Sequence, residues 1–217
     1  RHPLLTTVGV DRSYYAPIPE EDLVAYASQL PDGFRCCFKA PSAVTSVAVG
    51  PLNRPSLNPE FLSVDRLIAD LLEPCDSAFR GHTGPIILEF PPFPRSMRLG
   101  VEDFLGRLDR FLGDLPAGFD YAVELRDPRL LTPEYREVIG KYGVAHTYNY
   151  WSAMPMPAEQ AVVVPPEASD FAVVRLLLRP GSWYEDQRER FKPFDRLVEP
   201  DPAMRADVVS VVRRALS

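Results

Sequence analysis

The chain has 217 residues, with 24 basic against 30 acidic side chains for a formal charge of −6; 46% of its residues are hydrophobic and 25% charged. A chain of this size and mix can bury a core without disulfide or metal staples, which excludes a disordered polymer. The acidic balance disfavours a nucleic-acid partner, which needs a basic field.

The three cysteines, Cys36, Cys37 and Cys75, are odd in number and two are adjacent. That is a poor disulfide framework and fits a reducing compartment, so a cytoplasmic location is expected. No Cys-x-x-Cys occurs, and His2, His82 and His146 share no ligand spacing. No metal and no cofactor are expected on that pattern. Apolar runs are strand-sized, far below the ~18 residues of a membrane helix, so no membrane partner is expected. The 24 prolines are scattered and mark firm turns. The chain opens on Arg1-His2-Pro3 with no signal-like segment, which reads like the middle of a protein.

Strand-like and helix-like runs alternate. Leu4 to Val10 reads as a first strand, and Pro19-Glu20-Glu21-Asp22 starts a helix with acids in its first turn. Phe34 to Ala40 is a second strand, and Pro41 to Pro59 a loop. Helical spacing resumes from Glu60 to Leu72. Pro85 to Phe90 is a third strand. Val101, Phe104, Leu105, Leu108, Phe111 and Leu112 line one face of a helix. Phe119 to Leu125 is a fourth strand. Thr132-Pro133 starts another helix, with Thr as cap and Pro in the first turn. Gly143 to Thr147 and Phe171 to Leu178 are the fifth and sixth strands, and Pro202 to Leu216 is a final helix.

Strands alternating with helices imply parallel βα units in an α/β fold, either a doubly wound sheet or a (β/α) barrel. No Gly-rich dinucleotide or phosphate loop follows the first strand, which removes the usual sign of the doubly wound nucleotide-binding form. Lys39, Glu89, Arg126 and Arg175 fall at strand C-termini, the end where barrels carry their active sites. Six strands and 217 residues fall short of the eight strands and about 250 residues of a typical barrel.

Ser13-Tyr14-Tyr15-Ala16-Pro17 and Pro31-Asp32-Gly33-Phe34, running on to Phe38-Lys39-Ala40-Pro41, resemble signatures of the YecE-like proteins, a family of unknown function. Gly84 to Pro92, Ala122-Val123-Glu124-Leu125-Arg126-Asp127-Pro128 and Val174-Arg175-Leu176 resemble three of its strands, in family order. The resemblance implies a TIM-type (β/α) barrel of parallel strands, a single domain over 1–217. Glu89 stands where the family often has Gln, and Cys36-Cys37 replaces a Phe-Ala type pair. The family's first and last strands are absent from this chain. The six strands are therefore expected at barrel positions two to seven, with outer segments missing or two sheet edges exposed.

Side chains alternate along a strand, so Lys39, Glu89, Glu124, Arg126 and Arg175 can face one way and converge at a barrel mouth. Two close carboxylates, Glu124 and Glu89, would separate in pKa and supply a catalytic acid and base. Lys39, Arg126 and Arg175 would bind an anionic group, Arg being suited to bidentate capture of carboxylate or phosphate. The structural alternative is that these are internal ion pairs. Tyr14 and Tyr15 are read as pocket wall or as loop packing, and Tyr184 as a lid or as rim packing. His146, near the end of the fifth strand, is a candidate base or a hydrogen-bonded core residue. Cys37 is a nucleophile candidate only if a cation activates it; otherwise it is a small buried hydrophobe. The expected function is a metal-independent enzyme acting on a small polar or anionic molecule. The alternatives are a binding or sensing module without turnover and a nucleic-acid processing barrel. The sequence leaves substrate and oligomeric state open.

Overall fold

In the computed structural model, which describes residues 5–51, 54–97, 99–151 and 153–217, six segments adopt extended backbone in one sheet. They are β1 (Thr7–Val10), β2 (Arg35–Lys39), β3 (Thr83–Phe90), β4 (Tyr121–Leu125), β5 (Ala145–Tyr150) and β6 (Val173–Leu176). Their order in the sheet is their order in the chain, and the β1–β2, β2–β3 and β5–β6 pairs are parallel. The α/β expectation with parallel strands therefore holds. Leu4, the expected start of the first strand, and His2 lie outside the described residues. The chain divides into two compact units, 1–123 and 124–217, with the division inside β4.

In the first unit, β3 is almost wholly buried and reads Thr-Gly-Pro-Ile-Ile-Leu-Glu-Phe, the near-continuous apolar run of a strand covered on both faces. β2 shifts register against β3 between Cys36 and Phe38. Gly84 sits at this irregularity because a Cβ there would come within 3.0 Å of the Cys36 carbonyl oxygen. The helix α1 (Glu20–Ala27) buries Leu23 and carries Glu20, Glu21 and Asp22 in its first turn.

The helix expected over 60–72 is displaced toward the C-terminus. Asn58 holds the chain back by donating to the carbonyls of Ala43 and Ser46 at 2.6 and 2.7 Å. Ser63 then caps the first turn, Val64–Leu67, by accepting from Arg66 N. Helical structure continues through a π-helical segment, Ile68–Leu72, into α2 (Glu73–Ala78). Pro74 has no N–H to give the preceding turn, a common cause of such widening. The expected loop over 41–59 holds a helical turn, Ser42–Thr45, and a two-stranded antiparallel ladder of Ala48–Val49 with Ser56–Leu57. The helix α3 (Val101–Asp114) buries the face read from sequence, Phe104, Leu105, Leu108, Phe111 and Leu112. Phe104 meets Phe90 of β3 edge to face at 5.2 Å.

In the second unit, α4 (Pro133–Lys141) starts as expected, with Thr132 Oγ1 accepting from Tyr135 N at 3.2 Å. β5 runs three residues beyond its expected end, which carries Tyr148, Asn149 and Tyr150 into the sheet. The segment after it forms a short helix, α5 (Pro157–Val163). Then α6 (Tyr184–Phe191) and α7 (Pro202–Ala215) complete the unit. Tyr148, Ala161 and Val211 make one core cluster, joining β5, α5 and α7. Among the described residues no helix is long and apolar enough to cross a membrane.

Candidate functional site

Strand C-termini bring charged residues together in each unit. In the first unit, Lys39 ends β2 and Glu89 is the penultimate residue of β3. Lys39 is in register with Ile87, so Glu89 lies two positions further along the same face. Lys39 Nζ lies 2.8 Å from Glu89 Oε2, and both side chains are buried. Asp11 Oδ1 is 4.0 Å from the same ammonium. Tyr14 covers it, with the ring centroid 4.0 Å from Nζ. The neighbouring Ser13 explains this placement: its buried hydroxyl donates to the Lys39 carbonyl at 2.7 Å and fastens the helical turn Arg12–Tyr15 over the end of β2. Tyr14 thus packs on the Lys39 ammonium, while Tyr15 turns outward at 79% exposure.

The second unit gathers Glu124, Arg126 and Arg175. Asn149 and Arg175 are register partners on parallel β5 and β6, so their side chains leave the sheet on the same face. Both reach Glu124 of β4, which is fully buried. Arg175 Nη1 donates to Glu124 Oε2, Arg126 Nε donates to Oε1 at 3.2 Å, and Asn149 Nδ2 donates to Oε1 at 3.4 Å. The Arg126 guanidinium lies 4.2 Å from the Trp151 ring centroid. Each unit therefore holds a cation between a buried carboxylate and an aromatic face, an arrangement that removes its conformational freedom.

The remaining candidates fall elsewhere. His146 is a buried residue of β5, and its ring nitrogens face Tyr135 Oη at 3.0 Å and Gln160 Oε1 at 3.1 Å. Burial pushes its pKa down to about 4, which keeps the imidazole neutral. Tyr184 opens α6 and is more than half exposed. Arg179 grips Asp201 at 2.9 Å, and Asp201 also accepts from Tyr150 Oη at 2.7 Å and caps α7. Arg179, Asp201 and Tyr150 border a cavity of about 240 Å³ that Leu177, Arg190 and Met204 also line. Burial raises Cys36 to about 11 and Cys75 to about 12, so neither is a ready thiolate. Among the described residues no group of three or more His, Cys, Asp or Glu side chains could hold a metal ion.

Three residues here carried no assigned role at the level of sequence: Asn149, Trp151 and Gln160. Asn149 and Trp151 follow His146 at the end of β5, and alternation alone would have put Asn149 on the face of Thr147. Gln160 follows Glu159 and stands directly before an apolar run, Ala161-Val162-Val163-Val164.

The family model described as "Protein of unknown function DUF72" matches residues 2–212. The chain belongs to the DUF72 family. Two solved structures bear on its fold. A DUF72 family protein from Enterococcus faecalis is 16% identical, with a TM-score of 0.63 over 98% of this chain and 78% of that one. A DUF72 family protein from Thermotoga maritima is 21% identical, with a TM-score of 0.56 over 97% of this chain and 74% of that one. At such identities the likeness establishes a shared DUF72 fold. No curated protein gives a significant match.

Proposed function

We propose that this DUF72 chain takes a small polar or anionic molecule at the C-terminal ends of its strands, with Arg126 and Arg175 as the arms that hold its anionic group. The observation that carries this reading is the Glu124 cluster. One fully buried carboxylate, placed on β4, receives guanidiniums from the end of β4 and from β6. Each guanidinium is hydrogen-bonded to Glu124. Glu124 thus fixes the plane of each fork, and the planar fork is matched to carboxylate and phosphate oxygens. Ordering both arms beforehand lowers the entropic cost of binding.

The same reading extends to catalysis, with Glu124 in the second unit and Glu89 beside Lys39 in the first as the candidate acid–base groups. A specific observation favours the binding form for Glu124. Both of its oxygens already accept hydrogen bonds, from Arg126, Asn149 and Arg175, which suits a counter-ion better than a proton carrier. We read the six strands as those of a TIM-type (β/α) barrel formed as one domain over 1–217, where such strand ends are the usual seat of function.

Thermal unfolding with inorganic phosphate, sulfate and small dicarboxylates tests the reading. A concentration-dependent rise in Tm is expected for the native chain and its loss in Arg175→Gln. Equal shifts in the two proteins, or none with any anion, would overturn it. Assays of bound ligands with Glu124→Gln then separate turnover from binding alone.

A further inference from the structure

The geometry points to Gln160 of α5 as a positioning residue for the two-arginine clamp: its carboxamide sets which end of the Asn149 side chain faces Glu124. This rests on the reading of Arg126 and Arg175 as anion-binding arms.

Backbone groups with fixed chemistry surround the Gln160 carboxamide. Gln160 Nε2 lies 2.7 Å from the Asn149 carbonyl oxygen and 2.8 Å from the Pro155 carbonyl oxygen, both obligate acceptors. Gln160 Oε1 lies 3.2 Å from the Asn149 backbone N–H, an obligate donor. The carboxamide therefore has one permitted orientation. Its two Nε2 hydrogens point at those two carbonyls, and one of them is shared with Asn149 Oδ1 at 3.3 Å. With Oδ1 on that side, Asn149 Nδ2 points the other way, where it donates to the Leu125 carbonyl at 2.7 Å and to Glu124 Oε1 at 3.4 Å, so both ends of the amide agree on one orientation. The reversed amide would set Oδ1 against two oxygens.

The same logic continues behind Gln160. Because Oε1 accepts, His146 Nε2 carries the proton, and Nδ1 accepts from the Tyr135 hydroxyl. Tyr135, His146, Gln160, Asn149 and Glu124 are all buried, so no solvent replaces a bond lost along this chain. The titratable and charged groups around Gln160 are His146 and Tyr148 on β5, Tyr135 on α4, Glu124 beyond Asn149 with Arg126 and Arg175 on it, Glu159 and Asp207 bonded to the backbone that starts α5, and Arg214 of α7, which donates to the Ala161 carbonyl. A Gln160 that only fastened α5 to β5 would affect stability. A positioning Gln160 also changes what the arginines do.

Sulfate is the probe, since its charge is constant from pH 5 to 8. Calorimetric titration compares the native chain, Arg175→Gln, Gln160→Met, Asn149→Leu and the Gln160→Met/Asn149→Leu double variant, with side-chain NMR of the Arg Nε–H groups. Gln160→Met and Asn149→Leu are each expected to weaken sulfate binding about tenfold. The double variant should lose no more than the worse single one, because both act through one amide. Gln160→Glu is the second variant. Its carboxylate lacks the donor, so binding is weak at pH 7.5 and recovers toward the native value at pH 5 as the carboxyl gains a proton. Native-like sulfate binding and unmoved Arg Nε–H signals in folded Gln160→Met or Gln160→Glu would overturn the positioning role alone. Sulfate binding that is absent in the native chain, or unchanged in Arg175→Gln, would overturn the clamp and this role with it.

Discussion

Arg175 and Glu124 stand 51 positions apart in the chain and share a hydrogen bond from Nη1 to a carboxylate with no exposed surface. Desolvating Glu124 is unfavourable, and among the described residues the two guanidiniums and the Asn149 amide offset it. Glu124→Gln keeps the volume and removes the charge, leaving two arginines facing a neutral amide. A loss of about 3 kcal/mol is expected, the lower end for a broken buried pair because both arginines reach solvent in part. Urea unfolding measures it, and a loss below about 1 kcal/mol would show that Glu124 is not the anchor of the cluster.

Thr147 lies two residues before Asn149 on the same face of β5, and its buried hydroxyl has no hydrogen-bond partner among the described residues. A buried donor left without a partner carries a desolvation cost, and an isosteric methyl removes it. Thr147→Val is therefore expected to raise stability by about 1 kcal/mol. A decrease in denaturation midpoint would mean instead that the hydroxyl is satisfied by an internal water.

His146 and Asp201 give stability two separate pH windows. The folded pKa of His146, about 4, lies below its ordinary 6.5 because the ring is buried. Between those values the unfolded chain binds more protons, so this contribution is complete above about 6.5 and is lost as pH falls toward 4. Asp201 is held at about 2, below its ordinary 3.8, by the Met204 N–H, the Tyr150 hydroxyl and Arg179. Its contribution is present above about 3.8 and is lost as pH falls to about 2. Melting curves from pH 7.5 to 2.5 should show the first slope vanish in His146→Asn and the second become shallower in Asp201→Asn, where Glu134 and Glu167, also held below the usual range by hydrogen bonds, supply the remainder. A slope left unchanged by its own substitution refutes the assignment.

Lys39, Glu89, Glu124, Arg126 and Arg175 could be picked from sequence because strand periodicity and a polar residue at a strand end are both local signals. Their partners were not local. Asn149 acquires its role from register with Arg175, which only the paired strands define. Gln160 sits on a helix of 7 residues bounded by prolines, too short for periodicity to declare, and its meaning comes from groups on β5. The helix expected over 60–72 moved because Asn58 and Pro74 act through the backbone, where apolar spacing carries no information. The division of the chain inside β4 also left no mark, since a strand interior has no linker composition.

Trp151 provides the direct optical test of the clamp. Its ring lies 4.2 Å from the Arg126 guanidinium, whereas Trp183, the other tryptophan, is 79% exposed. Trp183→Phe should cost little, as surface substitutions usually stay within about 0.5 kcal/mol, and it leaves Trp151 as the sole reporter. An anion docking on Arg126 draws positive charge away from the indole face and changes its emission. A saturable change on adding sulfate is expected, absent in Trp183→Phe/Arg126→Gln and weakened by rising chloride. If calorimetry finds Arg175-dependent binding while Trp151 emission stays constant, the anion sits on Arg175 alone and Arg126 serves only to neutralise Glu124.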